Sequence, residues 1–292
     1  MSIVQHKKNM QIKCPYNCSI IDLKTGTCQK GHQFSFEHGV LKLLTEDFKE
    51  TLTPFLKKFT KTKFLENRTI QDISIYNDLP FHFSVKNDPA WKERNKDYKV
   101  IMGLLRSKSN KNVLEIGPWN GWLTNQMVKE GHNVLAIDYF IDPPNGLAAK
   151  QYYRNEWYAV QMNLEQPEIL IGPFDMIILN RNFAGFTNPV TTLRILKNSL
   201  SKEGIIVATG LTFNRNVASA LKTHQTMMND FKNENGFDMF FKKLKGFFDM
   251  DDLRIFEKEG MEFHPYKTSI IKKTALRILG KDTQYCYGIH YA

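Results

Sequence analysis

The sequence lacks the features that mark several large classes of protein. Nowhere in its 292 residues is there an apolar run of about 18, the length a membrane-crossing helix needs. The opening residues, Met1 to Lys8, hold no apolar stretch followed by a small-residue cleavage site. A secretion signal is therefore not expected, and cytoplasmic residence is. There are no internal repeats or low-complexity tracts, so nothing points to a repeat architecture. No five-residue block of like charge occurs, so the formal charge of +10 does not come from a basic tail. Cysteine is scarce, at four residues, yet three of the four stand within 15 positions.

What remains is an ordinary globular composition, 42% hydrophobic and 24% charged. The length suits one large α/β domain plus a small module. Charge is uneven along the chain. Residues 1–70 hold 12 Lys/Arg against 6 Asp/Glu, a net of +6, whereas residues 71–210 hold 15 against 14. Such an excess suits either a phosphate-bearing partner or a lysine-rich solvated surface.

The most informative stretch runs from Asn112 to Thr124 and on to Asn133–Asp138. Val113, Leu114 and Ile116 make a short apolar strand. Two glycines lead into an amphipathic helix near Trp122–Lys129, and a second apolar run ends in Asp138. This is the β-loop-α-β unit of a nucleotide-binding sheet, whose ligand lies at the carboxyl ends of the strands. A dinucleotide fingerprint from Gly117 would need glycines at 119 and 122, and both are tryptophan. A nicotinamide oxidoreductase is thereby disfavoured. Glu115-x-Gly117-x-x-x-Gly121 instead resembles the first motif of class I S-adenosylmethionine (SAM)-dependent methyltransferases. Asp138 stands where that family places its ribose-binding acid, 17 positions beyond Gly121 and near the roughly 20-residue offset of ribose-contacting acids.

The resemblance implies a Rossmann-like, seven-stranded α/β sheet with helices on both faces, and SAM as cofactor. It implies cofactor contacts from Glu115, Gly117, Trp119, Gly121 and Asp138, with Glu115 ordering the glycine loop near the methionine moiety. Trp119 replaces the family's usual middle glycine, which is tolerated if it keeps a negative φ and narrows the loop's possible conformations. The remaining strands are expected at Glu156–Met162, Phe174–Asn180, Gly204–Thr209, Met261–Tyr266 and Gln284–Tyr291, the last antiparallel. Asn163, after the third strand, is placed to contact the adenine amine, and Asp175 resembles the acid that opens the fourth. Helices are expected over 91–105, 145–155, 189–200 and 249–260; on the first, Arg94 and Tyr98 lie one turn apart and read either as facing the site or as an exposed Arg beside a packed Tyr. Residues 214–248, rich in Phe and Lys, are expected to form a helical cap over the active site.

Near the start, Cys14-Pro-Tyr-Asn-Cys18 and Cys28-Gln-Lys-Gly-His32 make a Cys3His set, a common closed tetrahedral ligand set for structural Zn²⁺. A module of about 45 residues needs such help to fold. This region resembles the N-terminal zinc ribbon of bacterial large-subunit rRNA guanine-N1 methyltransferases, most clearly over Cys28–Phe34 and Gly39–Leu44. It departs from that pattern by C-x3-C where C-x2-C is usual, and His6 is a remote alternative ligand. The expected organisation is a ribbon-like module over 1–45, a linker or lid over 46–90, and a methyltransferase domain over 91–292. In the linker, a helix over 46–62 is expected to be interrupted by Pro54.

Methyl transfer demands an acceptor in line behind the methyl group, with water excluded, and no universal catalytic side chain. The end of the fourth strand, Asn180-Arg181, is the expected acceptor site. Asn180 is read as accepting a hydrogen bond from the acceptor and Arg181 as pairing with an acidic one, with strand-end capping the alternative for both. The acceptor is read as either an RNA base or a small metabolite. The alternative is a SAM-binding scaffold without catalysis. Oligomeric state has no signal in the sequence.

Overall fold

The computed structural model describes residues 10–105, 110–266 and 283–292, and His6 lies outside them. Five short strands come first: β1 (Gln11–Ile12), β2 (Ile21–Asp22), β3 (Thr27–Cys28), β4 (Phe36–Glu37) and β5 (Val40–Leu43). Helices α1 (Glu46–Phe59), α2 (Lys63–Glu66) and α3 (Pro89–Leu105) follow. The glycine-loop unit is β6 (Asn112–Ile116), α4 (Trp122–Lys129) and β7 (Asn133–Asp138). Then come β8 (Tyr158–Met162), β9 (Leu170–Gly172), β10 (Phe174–Asn180), α5 (Pro189–Lys197) and β11 (Leu200–Asn214). The chain closes with α6 (Val217–Asn235), β12 (Phe248–Asp249), α7 (Met250–Lys258), β13 (Met261–Pro265) and β14 (Thr283–Tyr291).

The central sheet runs β13-β14-β11-β10-β6-β7-β8-β5-β4, with β12 pairing off β11. The seven strands from β13 to β8 are the expected Rossmann-like sheet. Strands β11, β10, β6, β7 and β8 are mutually parallel, and β14 runs antiparallel between β11 and β13. Their apolar residues alternate between two cores. Leu114, Ile116, Ile137, Ile177 and Leu179 face one core, closed by Leu193 and Leu196 of α5 and by Leu253 and Phe256 of α7. Val113, Val134, Ala136 and Ile178 face the other, closed by Ile101 and Met102 of α3 and by Leu123 and Met127 of α4. A sheet covered on both faces can be apolar at every position, which is why its strands read as continuous hydrophobic runs. The chain leaves β6 toward β7 on one side and returns to β10 on the other, so the strand order reverses between β6 and β10. Ligands of such sheets bind at that crevice.

Several boundaries differ from the sequence reading. Pro54 lies inside α1 without ending it, because the buried Leu52 and Phe59 hold the helix to the core on either side of the proline. The helix expected over 145–155 is only a 3₁₀ segment, Leu147–Tyr152. There Asn77 donates to the Tyr152 carbonyl at 3.0 Å and accepts from the Arg154 N–H at 3.1 Å, taking backbone groups that a longer helix would use. Beyond His32 the first strand is only the two-residue β4, whose Phe36 is exposed. The module's last strand is not separate from the main domain. β5 pairs in parallel with β8 and extends the central sheet, while β1 pairs with β9. Met10, Ile12, Cys14, Ile21 and Phe34 accordingly share one core with the sheet.

Candidate active site and cysteine–histidine cluster

A cavity of about 590 Å³ opens at the carboxyl ends of β6, β7 and β10. Its floor is Gly117, Pro118, Trp119, Trp122 and Asp138, and Asn180, Arg181 and Asn182 form one side. Phe55, Phe59, Phe64, Phe240 and Phe241 belong to its wall, contributed by α1, α2 and the segment after α6. Phe59, Leu65, Phe231 and Met239 pack as a core of their own, joining the two halves of this covering. The Phe-rich segment is thus a cap, part helix and part irregular chain.

Glycine is required at both ends of the loop. Gly117 has φ +67°, and a Cβ there would collide with the amide of Asn182. That amide in turn donates to the Ile116 carbonyl, locking the loop to the end of β10. Gly121 has φ +78°, and a Cβ there would lie 3.0 Å from the Trp157 ring. Trp119 does not keep a negative φ; its φ is +55°. This left-handed backbone costs a bulky residue about 1–3 kcal/mol. Trp119 is held by the Trp91 ring at 5.9 Å and by the Arg94 guanidinium over its face at 4.6 Å.

The two acids sit where the strands end. Glu115 is fully buried and accepts from the Thr124 hydroxyl at 2.5 Å, tying the loop to α4. Its other oxygen has no hydrogen-bond partner among the described residues. Asp138 accepts from the backbone N–H of Tyr139 at 2.6 Å and of Phe140 at 3.3 Å. Burial pushes both carboxyls up to about 7, with repulsion between them adding to the rise at Glu115. A buried acid that stays half-neutral near pH 7 is one whose charge lacks a partner.

The remaining expected residues are placed as follows. Asn180 lines the cavity, and its side-chain carbonyl accepts from the Thr209 hydroxyl at 2.8 Å. Its amide N–H₂ makes no hydrogen bond among the described residues. Arg181 was expected to meet an acidic acceptor, but its guanidinium is already committed. Nε donates to the fully buried Asp97 at 2.5 Å, and Nη2 to the Tyr285 hydroxyl at 2.6 Å. Burial opposes the charge on Arg181, and Asp97 more than offsets it, so its pKa is raised. The Tyr266 hydroxyl donates to the second Asp97 oxygen at 2.5 Å and accepts from the Gly210 N–H at 2.9 Å, completing the network. Asn163 does not line the cavity; its side chain accepts from the Glu165 N–H at 3.0 Å and caps the turn after β8. Asp175 accepts from the Asn112 N–H at 2.8 Å at the far end of the sheet.

Two further cations line the cavity, Arg94, which the sequence offers to the site, and Arg68, which it does not. Arg94 of α3 stacks on Trp91 and Trp119, and Arg68 stacks on Phe64 at 3.8 Å. Both line the cavity, and neither meets a carboxylate within ion-pair distance among the described residues. Arg94 was visible one helical turn from Tyr98. Nothing local marks Arg68, which reaches the site only through the packing of α2.

A family model described as a methyltransferase domain matches residues 90–243, just over half of the chain. The chain belongs to this methyltransferase family. The domain is of the class I, SAM-dependent kind, and SAM is the cofactor of its family. No curated protein matches the sequence significantly. Similar solved structures include a SAM-dependent methyltransferase from Mesorhizobium loti, 12% identical over 68% of this chain and 98% of that one, with a TM-score of 0.47. Magnesium protoporphyrin IX methyltransferase from Synechocystis, with bound SAH, is 15% identical over 82% of this chain and 97% of its own, TM-score 0.44. A TehB-like methyltransferase from Corynebacterium glutamicum is 17% identical over 70% and 96%, TM-score 0.41.

Outside the methyltransferase cavity, Cys14, Cys18, Cys28 and His32 converge, with their ligand atoms all within 4.8 Å of one another. The His32 Nδ1 lies 3.5, 3.3 and 3.4 Å from the three sulfurs, and Cys18 and Cys28 Sγ are 3.5 Å apart. The edges of a Zn–S₃N tetrahedron are about 3.5–3.8 Å, from bonds of about 2.3 and 2.0 Å. The widened C-x3-C loop closes because Asn17 takes the left-handed conformation, φ +55°, a turn Asn tolerates well. The Asn17 N–H then bonds back to the Cys14 carbonyl at 2.7 Å.

Proposed function

We propose that the protein is an active SAM-dependent methyltransferase, with cofactor and acceptor sharing the cavity between β6 and β10. The observation that carries this reading is the pair of buried acids at the strand ends, Asp138 and the half-unpartnered Glu115, beside two cations that meet no carboxylate among the described residues. SAM carries ribose hydroxyls, an ammonium, a carboxylate and a sulfonium, so each of these groups has a complement in the cavity. Asp138 accepts from the ribose hydroxyls. Arg94 takes the carboxylate. Glu115 holds the loop through Thr124 and favours the cationic end. Gly117 and Gly121 allow the loop its close approach. Trp119 and Trp122 supply apolar floor.

Bound SAM supplies an electrophilic methyl group on a sulfonium. The residues of this chain contribute positioning and exclusion of water, which can account for much of the acceleration. The phenylalanine cap covers the site, and Asn180 faces the acceptor with its free amide. Arg181 is a positioning residue: paired with Asp97 and Tyr285, it fixes the loop after β10. The Cys3His cluster fits one structural Zn²⁺, with Cys14, Cys18, Cys28 and His32 as its ligands. The proposed organisation is a zinc-ribbon-like module over 1–45, a lid over 46–90 and the methyltransferase domain over 91–292.

The acceptor is a small metabolite or an RNA base. The N-terminal charge excess and the ribbon's resemblance to that of rRNA methyltransferases favour RNA, whereas the aromatic-walled cavity favours a small molecule. Transfer of labelled methyl from SAM into fractionated RNA and into small-molecule extract is the test. Label in neither, under conditions where SAM binds, would leave a scaffold in place of an enzyme.

A further inference from the structure

The cavity holds more positive charge than its own carboxylates and the cofactor can balance. Four cations line it: Arg68, Arg94, Arg181 and Lys242. Arg181 is paired with Asp97, and Lys242 with Glu165. Arg68 and Arg94 have only aromatic partners among the described residues, Phe64 for the first and Trp91 and Trp119 for the second. The three guanidiniums also act on one another. Burial lowers the Arg94 pKa to about 10, and the charges of Arg181 and Arg68 add to the effect.

On the reading above, the SAM carboxylate satisfies one unpaired guanidinium, and Asp138 is engaged by ribose. The sulfonium and ammonium of SAM, offset only in part by Glu115, then add positive charge to a site that still holds Arg68. A neutral or cationic acceptor would leave that charge uncompensated in a cavity walled by Phe55, Phe59, Phe64 and Phe241. An acceptor with an acid group and an apolar body answers both features. Arg68 is well placed for the acid. It lines the cavity just beyond the end of α2, its guanidinium over the Phe64 ring at 3.8 Å, an arrangement that leaves its N–H edges to grip an oxyanion.

We propose that the acceptor is a small molecule bearing a carboxylate or phosphate, with Arg68 holding that group and the phenylalanines enclosing its apolar part. The proposal rests on the methyltransferase reading of the cavity and names its substrate class. An RNA acceptor is the competing outcome.

The test uses the full-length protein loaded with SAH and two fluorescent probes of like ring structure. One, 8-anilinonaphthalene-1-sulfonate, carries an anion; the other, N-phenyl-1-naphthylamine, does not. Arg68→Met is expected to weaken the anionic probe by about tenfold or more, as loss of a charge-assisted contact does. The neutral probe should keep its affinity, and Lys258→Met, a change at the exposed end of α7, should affect neither. Displacement by phenyl phosphate and by 3-phenylpropanoate then tells phosphate from carboxylate. Anionic-probe binding that is absent, or unaltered by Arg68→Met, or lost together with neutral-probe binding, overturns the proposal. So does methyl transfer into RNA with none into small acids. Absence of SAH binding in the loading step would instead refute the methyltransferase reading itself.

Discussion

Replacing Asp138 by Asn removes its charge while leaving an oxygen to accept from the Tyr139 and Phe140 amides. In the free protein burial holds this carboxyl near 7, because ionising it costs desolvation that two backbone N–H groups only partly offset. Ribose hydroxyls supply further hydrogen bonds to the ionised form, so cofactor binding draws a proton off Asp138. Affinity for SAM should therefore rise with pH and level off above about 7. A charge-assisted hydrogen bond is worth about 1.5–3 kcal/mol, so Asp138→Asn should weaken SAM binding by roughly 10- to 150-fold at pH 8. At pH 5.5 the loss should be smaller, because the native acid is then mostly protonated. Asp138→Ala should lose at least as much, since the Tyr139–Phe140 turn is also released. Equilibrium dialysis with labelled SAM from pH 5.5 to 8.5 measures all three proteins. Because Glu115 also titrates near 7, Glu115→Gln serves as the companion that removes its share of the slope. If Asp138→Asn binds SAM with native affinity and a native pH dependence, the ribose assignment is wrong.

Other outcomes are equally specific. Gly117→Ala should cost well over about 1 kcal/mol of stability or abolish SAM binding, because the left-handed backbone and the Asn182 amide both oppose a Cβ; thermal unfolding and SAM titration check it. Without ligand, the raised acids bind protons that the unfolded chain has already released, so stability should fall as pH rises from about 4 to 7 and then flatten. Urea unfolding of the native protein and of Glu115→Gln, whose slope should be shallower, tests the sign. Elemental analysis of protein purified without chelator should find about one zinc per chain, and Cys14→Ser should both lower that content and destabilise the main domain, since Cys14 lies in its core. A fully folded, metal-free protein would exclude the zinc site. If the basic module contacts RNA, affinity should fall with salt at a log–log slope near roughly −0.7 per phosphate contact for single strands; a flat salt series would remove nucleic acid from consideration.

The parts of the fold that repeat a period were legible in the residues. Continuous apolar runs gave away β6, β7, β8, β10 and β11, and two glycines with an acid at the next strand end marked the site between them. What escaped was set by contacts far apart in sequence. The 3₁₀ segment at Leu147 depends on Asn77, some 70 positions earlier. The merging of the N-terminal module with the sheet depends on β5 finding β8, which no local pattern announces. Trp119 takes the left-handed conformation with its ring packed against Trp91 and Arg94 of α3, contacts that join distant parts of the sequence. Arg181 looked free at a strand end, yet Asp97, 84 positions away, had claimed it. Arg68 carried no motif at all, and only the cavity assigns it a place.

Cofactor binding by the intact protein is the most direct test of the β6–β10 cavity. Titration calorimetry of the full chain at pH 8 with SAM, and separately with NADH, measures it. SAM should saturate with about one equivalent per chain, as a single cavity requires, and NADH should give no heat of binding. No binding of SAM, or tighter binding of NADH, would contradict the reading of the β6–β10 cavity as a methyltransferase site.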